Sequence, residues 1–472
     1  MSALDTPPAS TNNTDSVTAQ LICARWLLPV DGSARKPDTT HAGSGAGEVL
    51  EHHAVLIRDD LIADIGPIAQ LVDKYPDANV HDFAHHIVAP GLINAHGHAA
   101  MTLLRGCADD YPLMTWLQEH IWPLENALVN AEFVADGTEL AVAEMLLSGT
   151  TCFADMYFFP NAVANAAEKI GMRAQIAVPI LEAPSRWANN AEEYLSKGIA
   201  LFDDYRYSPL INIAFGPHAP YTVGDDTFRK VAMLAEEVDC NIQLHLHETA
   251  AEVADSQSAY GITPIERLSR LGVLGPRTQA VHVTQLDDAS LDKLAQSGAS
   301  VIHCPLSNLK LASGQCDAQG LIDAGITVAL GSDGAASSNS LDLFEAMKVA
   351  SLTGKQRRGD PCAIDAASTL YMATLGGARA LGIDHLTGSL QIDKQADLIA
   401  IDTRQPGMRP LHSPLSQLVY GSAGRAVSDV WIAGQRKVAD GQLRDIDLHA
   451  LYRRVDEWQA LIQRQHANLQ HL

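Results

Sequence analysis

From His86 to about residue 386, short apolar, β-branched runs alternate with stretches of helical periodicity. The runs are "HIVAPGLINA", "GTTCFADM", "RAQIAVPIL", "INIAFGPHAP", "NIQLHLHET", "TQAVHVTQL", "ASVIHCPLSN" and "ITVALGSDG", eight in all. Between them, "TELAVAEMLLSG", "NAVANAAEKIG", "DTFRKVAMLAEEVD" and "DASLDKLAQSG" space their apolar residues as helices do, and several close on Gly, a natural helix C-cap. Near-continuous apolar runs predict strands buried on both faces, the mark of a parallel sheet sheathed by helices. Eight strand–helix units predict an α/β fold, a (β/α)8 TIM barrel. An open doubly wound sheet would lead its first strand into a glycine-rich phosphate loop, and none follows here.

The pattern changes on either side. "QLICARWLLPV", "AVLIRDDLIADIGP" and "VHDFAHHIV" before the barrel, and "TGSLQIDKQADLIAID" and "VSDVWIAGQRKV" after it, are short alternating strands separated by turns. The two segments are expected to pair into one small β-sandwich domain, with residues 16–85 as its first part and 387–440 as its second. The barrel then spans 86–386. The apolar spacing of "DLHALYRRVDEWQALIQRQHANL" predicts a C-terminal helix within 441–472. Residues 1–15, polar and rich in Ser, Thr, Asn and Pro, read as a disordered tail.

Composition narrows the function. The 472 residues carry 56 acidic against 33 basic side chains, a formal charge of −23, and that field repels phosphate backbones, so nucleic acid is not an expected partner. There is no basic, apolar leader and no apolar stretch of membrane-spanning length. A cytoplasmic protein is expected, and a homo-oligomer would be in keeping with it. The seven cysteines are scattered with no CxxC pair, so neither a disulfide framework nor a cysteine zinc site follows.

The chemistry lies where polar residues interrupt the strands, nearly always at their C-terminal ends. His96 and His98 end the first run, His218 the fourth, and His245, His247 and Glu248 the fifth; His282 and His303 fall in the sixth and seventh, and Asp333 ends the eighth. Strand C-termini of a barrel converge on one mouth, where active sites lie. Residues i and i+2 of a strand share a face, so His96 and His98 can grip one ion. A lone HxH pair is weak evidence for this; a later strand-end histidine and a final strand-end carboxylate strengthen it, and imidazole with carboxylate suits zinc. His245 and His247 are themselves i and i+2, and spacing leaves open which of them joins the set. Asp333, following a buried strand, must be paired or coordinated, because an unpaired buried charge is costly.

These residues resemble the amidohydrolase superfamily, through "PGLINAHGH", "HLHE", the sixth-strand histidine and "GSDG". Within it, "HGHAAMTLLRG", "WPLENAL", "GTTCFADMY", "GPHAPYTV", "HCPLSNLKLASG" and "GSDGAASSNSLDLFEAMK" are similar to the methylthioadenosine/S-adenosylhomocysteine deaminases. The resemblance implies His96, His98, His245 and Asp333 as ligands of one divalent ion, Zn2+ favoured, with the His-x-x-Glu spacing selecting His245. It implies hydrolytic deamination of a small-molecule 6-aminopurine nucleoside. Asp333 would take a proton from water, Glu248 would protonate purine N1, and His282 would orient the attack. It further implies Glu125 on the ribose hydroxyls, His218 as a substrate contact, and Arg186 on the carboxylate of S-adenosylhomocysteine. Relatives that grip that carboxylate can carry a second arginine on the third strand, and this chain has none there after Arg173, which favours methylthioadenosine. His303 is expected in a supporting role. Alternatives on the same scaffold are a chlorohydrolase or a guanine-deaminase-like enzyme, and, outside catalysis, a scaffold that has lost its metal. The intact ligand set speaks against the last, and a ribose-directed Glu125 against a free-base substrate.

Overall fold

The computed structural model describes residues 19–32 and 48–469, so the expected tail at 1–15 lies outside the described residues. Among the described residues two eight-stranded sheets organise the chain. One is the barrel: β1 (Leu92–Asn94), β2 (Thr150–Asp155), β3 (Arg173–Ile180), β4 (Ile211–Pro217), β5 (Ile242–Leu246), β6 (Thr278–His282), β7 (Ser300–His303) and β8 (Val328–Leu330). Each pairs in parallel with the next. The ring is drawn shut by backbone bonds from Ala95 N to Leu330 O at 2.9 Å and from Asp333 N to His96 O at 3.1 Å. Every residue of β2 and β3 is buried, which is why these strands read as unbroken apolar runs rather than as alternation.

The second sheet is mixed and joins the two ends of the chain. Asn79–Pro90 is its central seam, parallel to Gln20–Leu27 on one side and antiparallel to Leu398–Asp402 on the other. Ile22, Val55, Phe83, Leu398 and Trp431 gather into a core of its own. The expected border at 85/86 falls inside one strand: "HIVAP" belongs to this sheet, and the barrel begins only at Leu92. An apolar run does not reveal which of two sheets it serves when both bury it. The break comes at Gly91, where a Cβ would lie 2.0 Å from Thr151 Oγ1, so only glycine lets the chain pass from one sheet to the other.

A buried ion pair fastens the two parts. Arg173, at the start of β3, donates from Nε to Asp397 Oδ2 at 2.8 Å and from Nη2 to Asp397 Oδ1 at 3.1 Å and Gln395 Oε1 at 2.6 Å. Asp397 also accepts from Ala433 N at 2.7 Å and Thr387 Oγ1 at 3.1 Å. Replacing Arg173 with Met would strand a fully buried carboxylate. Stability is expected to fall by about 3–5 kcal/mol, read as a lower urea midpoint; an unchanged midpoint would remove the pair from the account of how the parts are held.

The C-terminal helix, Leu448–Leu469, forms where its apolar spacing predicts it. It lies on Ala131–Leu147 through Arg454 Nε to Asp136 Oδ1 at 2.7 Å and Trp458 Nε1 to Asp136 Oδ2 at 2.9 Å. No helix among the described residues is long and apolar enough to cross a membrane.

Candidate active site at the barrel mouth

His96, His98 and His245 meet at the C-terminal ends of β1 and β5, with one ring nitrogen from each lying within 4.8 Å of the others. In all three the Nδ1 side of the ring is tied back. His98 Nδ1 donates to Met156 O at 2.6 Å and His245 Nδ1 to His218 O at 2.8 Å, while His96 Nδ1 lies 2.8 Å from Gln243 Oε1. The Nε2 atoms therefore face inward. Asp333 Oδ1 lies 3.3 Å from His98 Nε2 and 3.6 Å from His96 Nε2. At the longer distance there is no hydrogen bond, and His96 Nε2 is a buried polar atom without a partner. Three imidazole nitrogens, one of them an unpartnered His96 Nε2, and a carboxylate oxygen are the donor set a divalent ion such as zinc takes. These four residues can hold a metal.

Backbone strain aims the carboxylate. Asp333 sits at φ 62°, a left-handed conformation that a non-glycine residue adopts at some cost, as do His282 at 77° and His247 at 51°. For His247 the kink turns the ring away from the centre. Its Nδ1 donates to Gln285 O at 2.6 Å and its Nε2 accepts from Ile265 N at 3.2 Å, so neither nitrogen is left for an ion.

Charge in the site is strongly shaped by burial. Burial alone would raise the Asp333 carboxyl, but the charged His98 ring 3.3 Å away holds it well below the ordinary range. His98 is driven the other way: burial favours its neutral ring, yet Asp333 and the Met156 carbonyl carry it up to about 9. Burial keeps His245 and His282 neutral and lowers His218 to about 4. Glu248 is raised to about 8, first by burial and then by the negative charge of Asp333. Two carboxyl groups in one site are thus set apart, one ionised and one protonated at neutral pH. His282 Nε2 lies 3.9 Å from Glu248 Oε2, with Nδ1 held at 2.8 Å by Asn308 Oδ1.

Above these groups opens a cavity at the barrel mouth. Glu125 lines it from the helix Trp122–Leu128, with Oε1 accepting from Tyr157 OH at 2.6 Å, and burial raises its carboxyl to about 7. His218 lines it too, with Nδ1 on Thr222 Oγ1 at 2.9 Å. Leu113, Trp116, Leu117, Phe158, Leu181 and Leu311 make much of the remaining wall, and no Lys or Arg is among the lining residues. Arg186 is not brought into the cavity. It is exposed, and its Nη1 caps the end of the Glu125 helix through Ala127 O at 2.8 Å. His303 also stands apart, lining a smaller recess with Asn308 and Cys316.

Some residues of the site carry no obvious sequence signal. Tyr157 and Tyr221 line the cavity from within or beside motifs whose other members stand out. Glu252 does have one: "TAAE" is a capping box, and Thr249 Oγ1 accepts from Glu252 N at 3.2 Å. Its carboxylate, however, accepts from His247 N at 2.9 Å and Glu248 N at 2.7 Å, fixing the backbone that carries Glu248.

The amidohydrolase family model matches residues 87–437. A 5-methylthioadenosine/S-adenosylhomocysteine deaminase of Saccharophagus degradans is 47% identical over 95% of this chain and 98% of its own length. A 5'-deoxyadenosine deaminase of Methanothermobacter thermautotrophicus is 41% identical over 84% of this chain and 92% of its own. Among solved structures, an adenosine deaminase from Xanthomonas campestris with bound zinc superposes with a TM-score of 0.90 at 45% identity, covering 94% of this chain and 99% of that one.

Proposed function

The chain belongs to the amidohydrolase family, and we propose that it hydrolyses the C6 amino group of a 6-aminopurine nucleoside, giving the inosine analogue and ammonia. The favoured substrate carries an uncharged 5' group, as 5'-methylthioadenosine does. The observation that carries this reading is one cavity lined together by Glu125, Tyr157, His98, His245, Glu248, His282 and Asp333.

His96, His98, His245 and Asp333 would hold a single divalent ion, zinc favoured. Such an ion lowers the pKa of a coordinated water towards ~7 and so supplies a nucleophile at neutral pH. The chain's own groups do the rest. Glu248, protonated at neutral pH, donates to purine N1 and leaves C6 electron-poor. Asp333, ionised, takes one proton of the attacking water and passes it to the departing amine, while the second leaves the C6 hydroxyl as the carbonyl forms and restores the Glu248 acid. His282 Nε2 orients the oxygen as it adds to C6. Glu125 accepts the two ribose hydroxyls, which distinguishes a nucleoside from a free base, and His218 and Tyr221 flank the substrate. Water and the amine in, carbonyl and ammonia out, balance the reaction. The same reading takes the enzyme as cytoplasmic, with a free nucleoside as its partner.

The relative from Saccharophagus degradans is named for both methylthioadenosine and S-adenosylhomocysteine. Here the cavity wall offers no cation to the homocysteine carboxylate, and Arg186 is engaged elsewhere. Forgoing a charge-assisted hydrogen bond forgoes about 1.5–3 kcal/mol. Methylthioadenosine is therefore expected to exceed S-adenosylhomocysteine by about 10- to 150-fold in kcat/KM. Ammonia release from both, from adenosine and from guanine, alongside metal content, is the test. Metal bound with no ammonia from any of the four would end the nucleoside-deaminase reading.

A further inference from the structure

A row of buried amides fills part of the barrel interior, where branched apolar side chains are the rule. Gln175 on β3, Gln243 on β5 and Gln279 on β6 are 2%, 0% and 0% exposed. Together with Asn241, just before β5, they form one continuous chain. Asn241 Nδ2 donates to Leu381 O at 2.9 Å and Gln175 Oε1 at 2.8 Å. Gln175 Nε2 donates to Gln279 Oε1 at 2.8 Å, and Gln279 Nε2 donates to Ala380 O at 2.9 Å and Gln175 Oε1 at 3.1 Å. Gln243 Nε2 donates to Gln279 Oε1 at 2.7 Å and Ala95 O at 3.1 Å. Its Oε1 ends the row, 2.8 Å from His96 Nδ1.

The direction of this row is not free. A backbone carbonyl only accepts, so Leu381 O, Ala380 O and Ala95 O each demand the nitrogen end of the amide beside them. With those ends committed, the one atom Gln243 can turn to His96 is an acceptor. His96 must then carry its ring proton on Nδ1 and leave a lone pair on Nε2, the buried atom without a partner. In His98 and His245 the Nδ1 proton is fixed by main-chain carbonyls, which no substitution of a side chain removes. His96 alone depends on a side chain.

We propose that Gln243 is a positioning residue that, oriented by Ala95 O and the neighbouring Gln279 amide, sets the tautomer of His96 and so prepares Nε2 for a divalent cation. This rests on His96 being a ligand. A burial that only filled space would not need every donor end committed, and an apolar side chain would fill it at lower cost.

The test uses the full chain and zinc alone. Zinc affinity is measured by competition with a chelator for the wild type, Gln243→Met, Gln175→Met, Gln243→Glu and His96→Ala, and the melting of each metal-free protein is followed in parallel. Gln243→Met is expected to bind zinc about 10- to 100-fold more weakly, the usual effect of losing a partner behind a ligand. Gln175→Met is expected to melt earlier yet keep wild-type affinity, since Ala380 O and Ala95 O still orient Gln279 and Gln243. Gln243→Glu keeps an acceptor against Nδ1 but, as the neutral acid, has one O–H for the two acceptors Ala95 O and Gln279 Oε1, and is expected to recover part of the affinity. Equal losses in the two Met variants, or wild-type affinity in Gln243→Met while His96→Ala loses zinc, would overturn the inference. Wild-type affinity in His96→Ala would instead overturn the ligand reading beneath it. If Gln243→Met does not fold, selective 15N-histidine labelling of the metal-free wild type decides: the proton must be on His96 Nδ1, and a proton on Nε2 refutes the proposal.

Discussion

Glu248→Gln is expected to lower kcat by about 10²–10⁴-fold, the usual contribution of a general acid, while leaving metal content and KM close to wild type. Gln keeps the shape and can still offer an N–H to purine N1, so it preserves much of the binding. It has no proton to give, and addition at C6 then proceeds on an unactivated ring. Glu248 is not among the residues proposed to hold the ion, which is why occupancy should survive. Its carboxyl is raised to about 8, so the acid form dominates at neutral pH and is lost as pH rises through that value. The wild type should therefore lose activity on an alkaline limb at or below about 8, because a cation at the histidines favours the carboxylate. That limb should be missing from the residual rate of Glu248→Gln. Activity within tenfold of wild type with normal metal content would assign the proton to another donor.

What the sequence discloses here and what it withholds divide on physical lines. His96 and His98 are legible because the sequence reads them as two positions on one strand face, although the strand itself ends at Asn94 and both follow it at the mouth, and Asp333 because a charge after "VAL" cannot be left unpaired. The His245 and His247 pair is ambiguous for the same reason it is visible: period two gives both the same face. A positive φ at His247 separates them, and no local residue preference announces that kink. Arg186 is placed by a loop whose path depends on the helix it caps. The border between the two sheets is hidden because "HIVAP" would be buried on either side of it. Gln243 does alternate with His245 and His247, which marks it as inward-facing, but its partners Gln279 and Gln175 come from other strands, and only the closed barrel makes the row continuous.

Asp333→Asn is expected to be the more damaging change, because it removes two functions at once. The substitution keeps volume but takes away the single negative charge among three imidazoles. Zinc should bind more weakly by at least the ~10-fold that losing an indirect partner costs. It also removes the proton acceptor for the attacking water, and kcat should fall by about 10³-fold or more, the upper part of the range for a general base. The two losses separate on titration with metal. Saturating zinc should refill the site, seen as one ion per chain, without restoring the rate. His282 is the natural rival as base: its ring is neutral, its Nδ1 is committed to Asn308, and its Nε2 is free to accept. If excess zinc returns Asp333→Asn to near wild-type turnover, the base is His282 and Asp333 serves the ion alone. If occupancy returns and the rate does not, the proton passes through Asp333 Oδ1 or Oδ2.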